Sequence, residues 1–192
     1  MSDTPRILVL GIGNPLMLDE GVGVRVVEEL DRLYQLPSSV NVVDAGTMGL
    51  GMMPLFKGID AMIIVDAVEG TGYAPGTVVR LSPDDFAPNQ ILHSLHDVKF
   101  VDVLQSCALV GIEPEAECIG IQVESISPVD LTIGLSEPVQ AALPRALAAV
   151  LTLLAERGIA ATARPTDDPD RAAFLAEVDR ALGEMREGRR EG

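Results

Sequence analysis

Apolar positions follow two rhythms along the chain up to about residue 160. Ile7-Leu8-Val9-Leu10 is an unbroken β-rich run closed by Gly11, which is how a strand covered on both faces reads. Val22, Val26, Val27 and Leu30 then recur at helical spacing, with Arg25, Glu28, Glu29 and Arg32 between them. Val40 to Val43 is a second strand ending at Asp44-Ala45-Gly46-Thr47, and a short helix is expected over Met48 to Phe56. Ala61 to Val65, as apolar as the first run, is a third strand that stops at Asp66. Thr77 to Leu81 follows the turn-rich Glu69 to Pro75 and has the length of an edge strand. A helix runs from about Ser94 to Leu109, with Ser94 and Asp97 as a variant capping box. Cys118 to Val123 is the fifth strand, and the last core helix opens at Ser136-Glu137-Pro138 and continues to about Glu156.

Strands alternating with helices predict a single α/β domain: a mostly parallel five-stranded sheet with helices on both faces and a short edge strand. Beyond Gly158 the composition changes. The domain is therefore assigned to residues 1–162, and residues 163–192 to a charged C-terminal tail, partly helical or disordered. Phe174, Leu175, Val178 and Leu182 form one amphipathic stripe in that tail, and Glu184 to Gly192 is expected to be disordered.

Composition narrows the classes of function. With 192 residues, 47% of them hydrophobic, the chain has apolar area enough for one packed core, which excludes bulk disorder. Neither Ile7 to Gly13 nor Ala146 to Ala155 approaches the roughly 18 apolar residues of a membrane span. A secretory signal does not fit either, because Asn14-Pro15 follows the first short apolar run. Fourteen basic against 29 acidic side chains give a net charge of −15, which repels nucleic acid. Nearly all of the excess lies in residues 1–162, since the tail is almost balanced. Cys107 and Cys118 form no CxxC and read as reduced core thiols of a cytoplasmic protein.

Gly11-Ile12-Gly13-Asn14 begins like a dinucleotide fingerprint, but position 16 is Leu and Pro15-Leu16-Met17-Leu18 postpones the helix. A pyrophosphate needs the helix N-terminus directly behind the glycine turn, so nucleotide binding is not expected. The loop instead delivers Asp19-Glu20 to the start of the first helix. Acids there have an ordinary explanation in the helix dipole, an Asp after a strand is a common turn residue, and His93 or His96 could each be a surface histidine. The constellation carries more weight. Ligands of parallel sheets bind at the carboxyl ends of the strands, and Glu20 and Asp66 follow the first and third strands, expected to be neighbours. With His96 they make a divalent metal site with open coordination positions. No GxSxG, no HExxH and no cysteine in an electropositive loop is present, so no catalytic nucleophile is identified.

The opening stretch Ile7 to Gly23 closely resembles the signature of the nickel-iron hydrogenase maturation proteases. Asp44-Ala45-Gly46-Thr47 is similar to the family's D-G-G-T turn, and Ile63-Ile64-Val65-Asp66-Ala67 to its third-strand motif. His96 with Asp102-Val103-Leu104 is similar to its helix motif, and Gly134-Leu135-Ser136 also fits. The motifs run in order from about residue 6 to 157. The resemblance implies an endopeptidase that removes a short C-terminal extension from the precursor of a hydrogenase large subunit after nickel insertion. It implies Glu20, Asp66 and His96 as ligands of nickel, carried by the substrate, or of a substitute divalent ion; His93 has no counterpart. Asp19 could orient the Glu20 loop, although a solvated helix-start acid is the plainer role. Gly46 and Thr47 support the site from the second strand, and Ala45 departs from the usual glycine. The expected state is a monomer without membrane or nucleic-acid partners, its acidic cleft suited to a metal-bearing substrate with a basic residue beside the cleaved bond. Two other classes compete: a non-hydrolytic nickel-sensing or chaperone module using the same trio, and a metal-dependent hydrolase of small molecules.

Overall fold

The computed structural model describes residues 4–82, 85, 100–126 and 131–188. In chain order the elements are β1 (Ile7–Ile12), α1 (Val22–Leu33), β2 (Tyr34–Gln35), β3 (Val40–Gly46), β4 (Ala61–Val68) and β5 (Val78–Leu81). They are followed by α2 (Phe100–Ala108), β6 (Glu115–Gln122), α3 (Glu137–Glu156), β7 (Thr162–Ala163) and α4 (Pro169–Gly188). Five strands form one sheet in the order β3-β1-β4-β6-β5, and β2 pairs with β7 in a small ribbon. Every pair in the main sheet is parallel except β5, which runs antiparallel to β6 at the edge. The first and third strands of the sequence are indeed neighbours, with Val9 opposite Ile63 and Gly11 opposite Val65.

Strand alternation divides the core in two. Ile7, Val9, Ile63, Val65, Ile119 and Ile121 face α1, α3 and α4, whereas Leu8, Leu10, Met62, Ile64 and Cys118 face α2 and the 3-10 helix Gly49–Phe56. Both faces of β1 and β4 are thus dry, which is why these strands carry no polar alternation. Cys107 and Cys118 are free and buried in the second cluster, as expected.

Four expectations shift. The third strand does not stop at Asp66, because Ala67 and Val68 continue it by pairing with Ile121 and Gln122. The segment after Met48 forms a 3-10 helix, its α-helical ladder interrupted by Gly49, Gly51 and Pro54. The tail helix does not fray at Glu184 but continues to Gly188, with Val178 and Ala181 inside the first core cluster against α3. Finally, α3 is by length and composition apolar enough to cross a membrane; here 67% of its most apolar window is buried inside the fold. Of the helix expected from Ser94, only Phe100–Ala108 is described; Ser94, Asp97, His93 and His96 lie outside the described residues.

The first turn of α1 sits directly on the carboxyl ends of β1 and β4. A Cβ on Gly23 would stand 2.2 Å from the Val65 carbonyl oxygen and 2.3 Å from that of Ile12. Both obstacles are backbone of central strands, so neither can yield without moving the sheet. Gly23→Ala should therefore cost about 3 kcal/mol, the upper end for over-packing. Urea denaturation measures it, and a loss below about 1 kcal/mol would mean that the helix tilts away without penalty.

Candidate functional site

Among the described residues, only four polar or charged side chains are buried: Asp19, Glu20, Asp66 and Gln122. All four belong to the carboxyl edge of the sheet, and three of them are acids singled out from the sequence. Burying carboxylates is costly unless bonds or a cation compensate, so the grouping marks this edge as the candidate functional one.

Glu20 lies in a 3-10 turn, Leu18–Gly21, between β1 and α1, and that turn packs against β4. Its side chain is 5% exposed, and burial raises its carboxyl pKa above the ordinary value. The turn reaches this position because Gly13, at φ +134°, lets the Glu20 carbonyl oxygen approach to where a Cβ would be only 1.9 Å away. Leu18 has φ 49°, the only non-glycine positive φ among the described residues. That conformation costs an L-residue about 1–2 kcal/mol. It persists because the Leu18 N–H donates to Thr132 O at 2.7 Å while the Thr132 N–H donates to Leu16 O at 2.9 Å.

Asp19 is 2% exposed, so the solvated role expected for it is wrong. Its carboxylate accepts the Ser136 N–H at 2.6 Å and the Ser136 hydroxyl at 2.8 Å, which braces the Glu20 turn against the start of α3. Ser136 occupies the N-cap position, but its hydroxyl serves Asp19 and does not cap α3.

Asp66 stands in β4 opposite Gly120 of β6, 5% exposed, with one carboxylate oxygen accepting the Ala67 N–H at 2.8 Å. Burial, and then the charge of Asp66, push the neighbouring Cys118 thiol well above its ordinary pKa, so that thiol is no nucleophile at neutral pH. Gly46 adopts φ 45°, donates its N–H to the Asp44 carboxylate at 2.9 Å and accepts the Gly13 N–H at 3.0 Å. Ala45 is the bulged residue between Asp44 and Gly46 and needs no positive φ, so the missing glycine is harmless there. Thr47 is exposed on the loop beyond.

Glu20 and Asp66 therefore come to the same edge, by way of a turn packed on a strand. Among the described residues no three His, Cys, Asp or Glu side chains form a metal cluster, and His96 lies outside them. Gln122 is the buried polar residue that sequence reading missed. Its amide oxygen accepts the Thr71 N–H at 3.0 Å and the Thr71 hydroxyl, and its NH2 donates to Val123 O at 2.6 Å, fixing the loop after β4. Its place at the carboxyl end of an apolar strand was the available signal.

This arrangement, a covered parallel sheet with acids buried at its carboxyl edge, defines an α/β protein of the kind whose ligands bind at that edge. The family model of hydrogenase maturation proteases matches residues 24–153, a span that begins just after Glu20 and includes Asp66 and position 96. The chain is 42% identical over 189 residues to the hydrogenase expression/formation protein HoxM of Azotobacter vinelandii, covering 96% of this chain and 87% of that protein. It is 38% identical over 162 residues to the hydrogenase 2 maturation protease of Escherichia coli K12, covering 83% and 96%. The solved structure of the E. coli hydrogenase maturating endopeptidase HybD superposes with a TM-score of 0.72, at 38% identity, over 83% of this chain and 98% of that one. The chain belongs to the hydrogenase maturation protease family and is a hydrolase of peptide bonds.

The Asp19 brace predicts a specific loss. Ser136→Ala removes one hydrogen bond to a buried carboxylate and should cost about 1.5–3 kcal/mol, a fall of several degrees in thermal midpoint. Asp19→Ala should cost more, since it strands the Ser136 N–H as well; equal midpoints for the two variants and the parent would show that the brace carries no stability. Glu20→Gln runs the other way. A carboxyl whose folded pKa is raised favours the fold below its unfolded pKa of about 4.3, and that contribution is lost as pH rises through the folded value. The amide should thus unfold no earlier than the parent at pH 7.5, with any advantage vanishing at pH 4; thermal scans at both pH values decide.

Proposed function

We propose that this chain removes the C-terminal extension of a nickel-iron hydrogenase large-subunit precursor after nickel has been inserted, using the bound nickel as its recognition element. The observation that supports the reading best is the burial of Glu20 and Asp66, 5% exposed each, at one sheet edge of a member of this protease family. Two buried carboxylates supply hard oxygen donors, and a divalent cation presented to them offsets the desolvation that raises the Glu20 pKa. His96, as third ligand, adds the imidazole suited to nickel. The ion travels with the substrate on this reading, so that only a loaded precursor completes the site.

The protein's own residues do the positioning. Asp19 and Ser136 hold the Glu20 turn still, and β4 holds Asp66, so the donors need not reorganise when the precursor arrives. Bound nickel can polarise a carbonyl or a water beside it, which is the chemistry it supplies. The enzyme acts as a cytoplasmic monomer in this scheme, with the precursor as its protein partner and neither nucleic acid nor membrane.

Mass spectrometry of the nickel-loaded precursor after incubation with the protein tests the proposal. The parent should shorten the precursor at its C-terminus, and His96→Ala should leave it at full length while retaining the parent's circular dichroism spectrum. Normal cleavage by His96→Ala would overturn the ligand assignment. Binding of the precursor by the parent without any loss of mass would make the chain a nickel-sensing or chaperone module.

A further inference from the structure

Above Glu20 and Asp66 the chain displays an apolar surface that the proposed chemistry does not use. Leu16 is 52% exposed, Met48 and Leu50 48% each, Leu131 77% and Ile133 74%. They lie on the loop before the Glu20 turn, at the start of the 3-10 helix after β3 and on the segment leading into α3, all at the carboxyl edge of the sheet. The loop of Leu16 and the segment of Leu131 and Ile133 are joined by the parallel bridge of Met17 with Thr132. The turn carrying Met48 and Leu50 follows β3, whose Gly46 carbonyl is bonded to Gly13 at the base of the Leu16 loop.

The same loops are devoid of charge. Although the chain carries 14 basic and 29 acidic side chains, none falls in Asn14–Leu18, Ala45–Phe56 or Leu131–Ser136. In a molecule of net charge −15, three neutral segments at one sheet edge form a surface that can be dehydrated cheaply. Their backbones are also held by hydrogen bonds to one another, which lowers the ordering cost of binding.

We propose that Leu16, Met48, Leu50, Leu131 and Ile133 form a docking rim that receives an apolar surface of the precursor protein next to its cleaved segment. The proposal rests on the function argued above and names where its substrate is gripped. Glu20 and Asp66 are almost wholly buried, so a peptide segment brought to them must lie against the loops that bear the rim. A second copy of this chain is a poorer occupant, since it would bring another −15 of charge to the contact. An anionic membrane meets the same repulsion.

Steady-state cleavage of the full-length, nickel-loaded precursor by the double variant Leu131→Asp with Ile133→Asp tests the rim. Both side chains are mostly in water, so the thermal midpoint should match the parent's, and the pair Leu131→Met with Ile133→Val serves as the conservative control. The acidic pair should raise KM at least tenfold with kcat within twofold of the parent, and the conservative pair should leave both unchanged. An unchanged KM overturns the proposal, as does a fall in kcat alone, which would mean that the substitutions disturb the Glu20 turn. Sedimentation showing a dimeric parent and a monomeric acidic variant would assign the rim to self-association. Loss of parent binding to phosphatidylglycerol vesicles in that variant would assign it to membrane. Should the parent bind the precursor without cutting it, the proposed function fails, and the precursor Kd, compared across the same variants, decides the rim in place of KM.

Discussion

Everything at the carboxyl edge depends on how closely the first turn of α1 can approach the sheet. At Gly23 the helix backbone lies against the carbonyl groups of Ile12 and Val65, with no room for a methyl group. The turn before it folds as a 3-10 segment that opens on Leu18 in a left-handed conformation. The Glu20 turn also packs against β4, the strand that carries Asp66. The absent Cβ atoms of Gly13 and Gly23 together let the Glu20 turn and the start of α1 lie directly on the sheet edge.

The price of this closeness is concentrated in a few residues. Glu20 gives up solvation, Leu18 accepts an unfavourable φ, and Asp19 brings a third acid into the interior. The compensation arrives from a distant part of the chain, in the two hydrogen bonds from Ser136 and the two backbone bonds at Thr132. Such strain is typical of edges that must present charge to a ligand, and here it is held jointly by the start of α3 and the segment before it. The remainder of the molecule is ordinary by comparison: two dry clusters on either side of a twisted sheet.

Most of the architecture was legible in the sequence because it follows from local pattern. Ile7-Leu8-Val9-Leu10 and Met62-Ile63-Ile64-Val65 could only be strands covered on both faces, and the edge position of Val78–Leu81 followed from its length. That Glu20 and Asp66 would meet at one sheet edge was legible too, since loops after the strands of a parallel sheet share that edge. What could not be read was pairing across the chain. Nothing near Asp19 indicates that its partner is Ser136, so it passed for a helix-start acid, and Ser136 passed for a cap. The extension of β4 beyond Asp66 likewise depends on its neighbour β6 and not on its own composition. Leu131 and Ile133 escaped notice because an apolar residue reads as core until its exposure is known.

The bond between Asp19 and Ser136 spans 117 residues. A growing chain exposes the Glu20 signature almost at once, yet the groups that hold it emerge only after five strands and two further helices have been made. Contacts of such long range are formed late, because loop closure must be met before they contribute. A chain lacking residues 131–136 would have the sheet without the groups that hold the Glu20 turn. The finished geometry of this edge is in this way coupled to synthesis of the segment 131–136, far along the chain from the residues it holds.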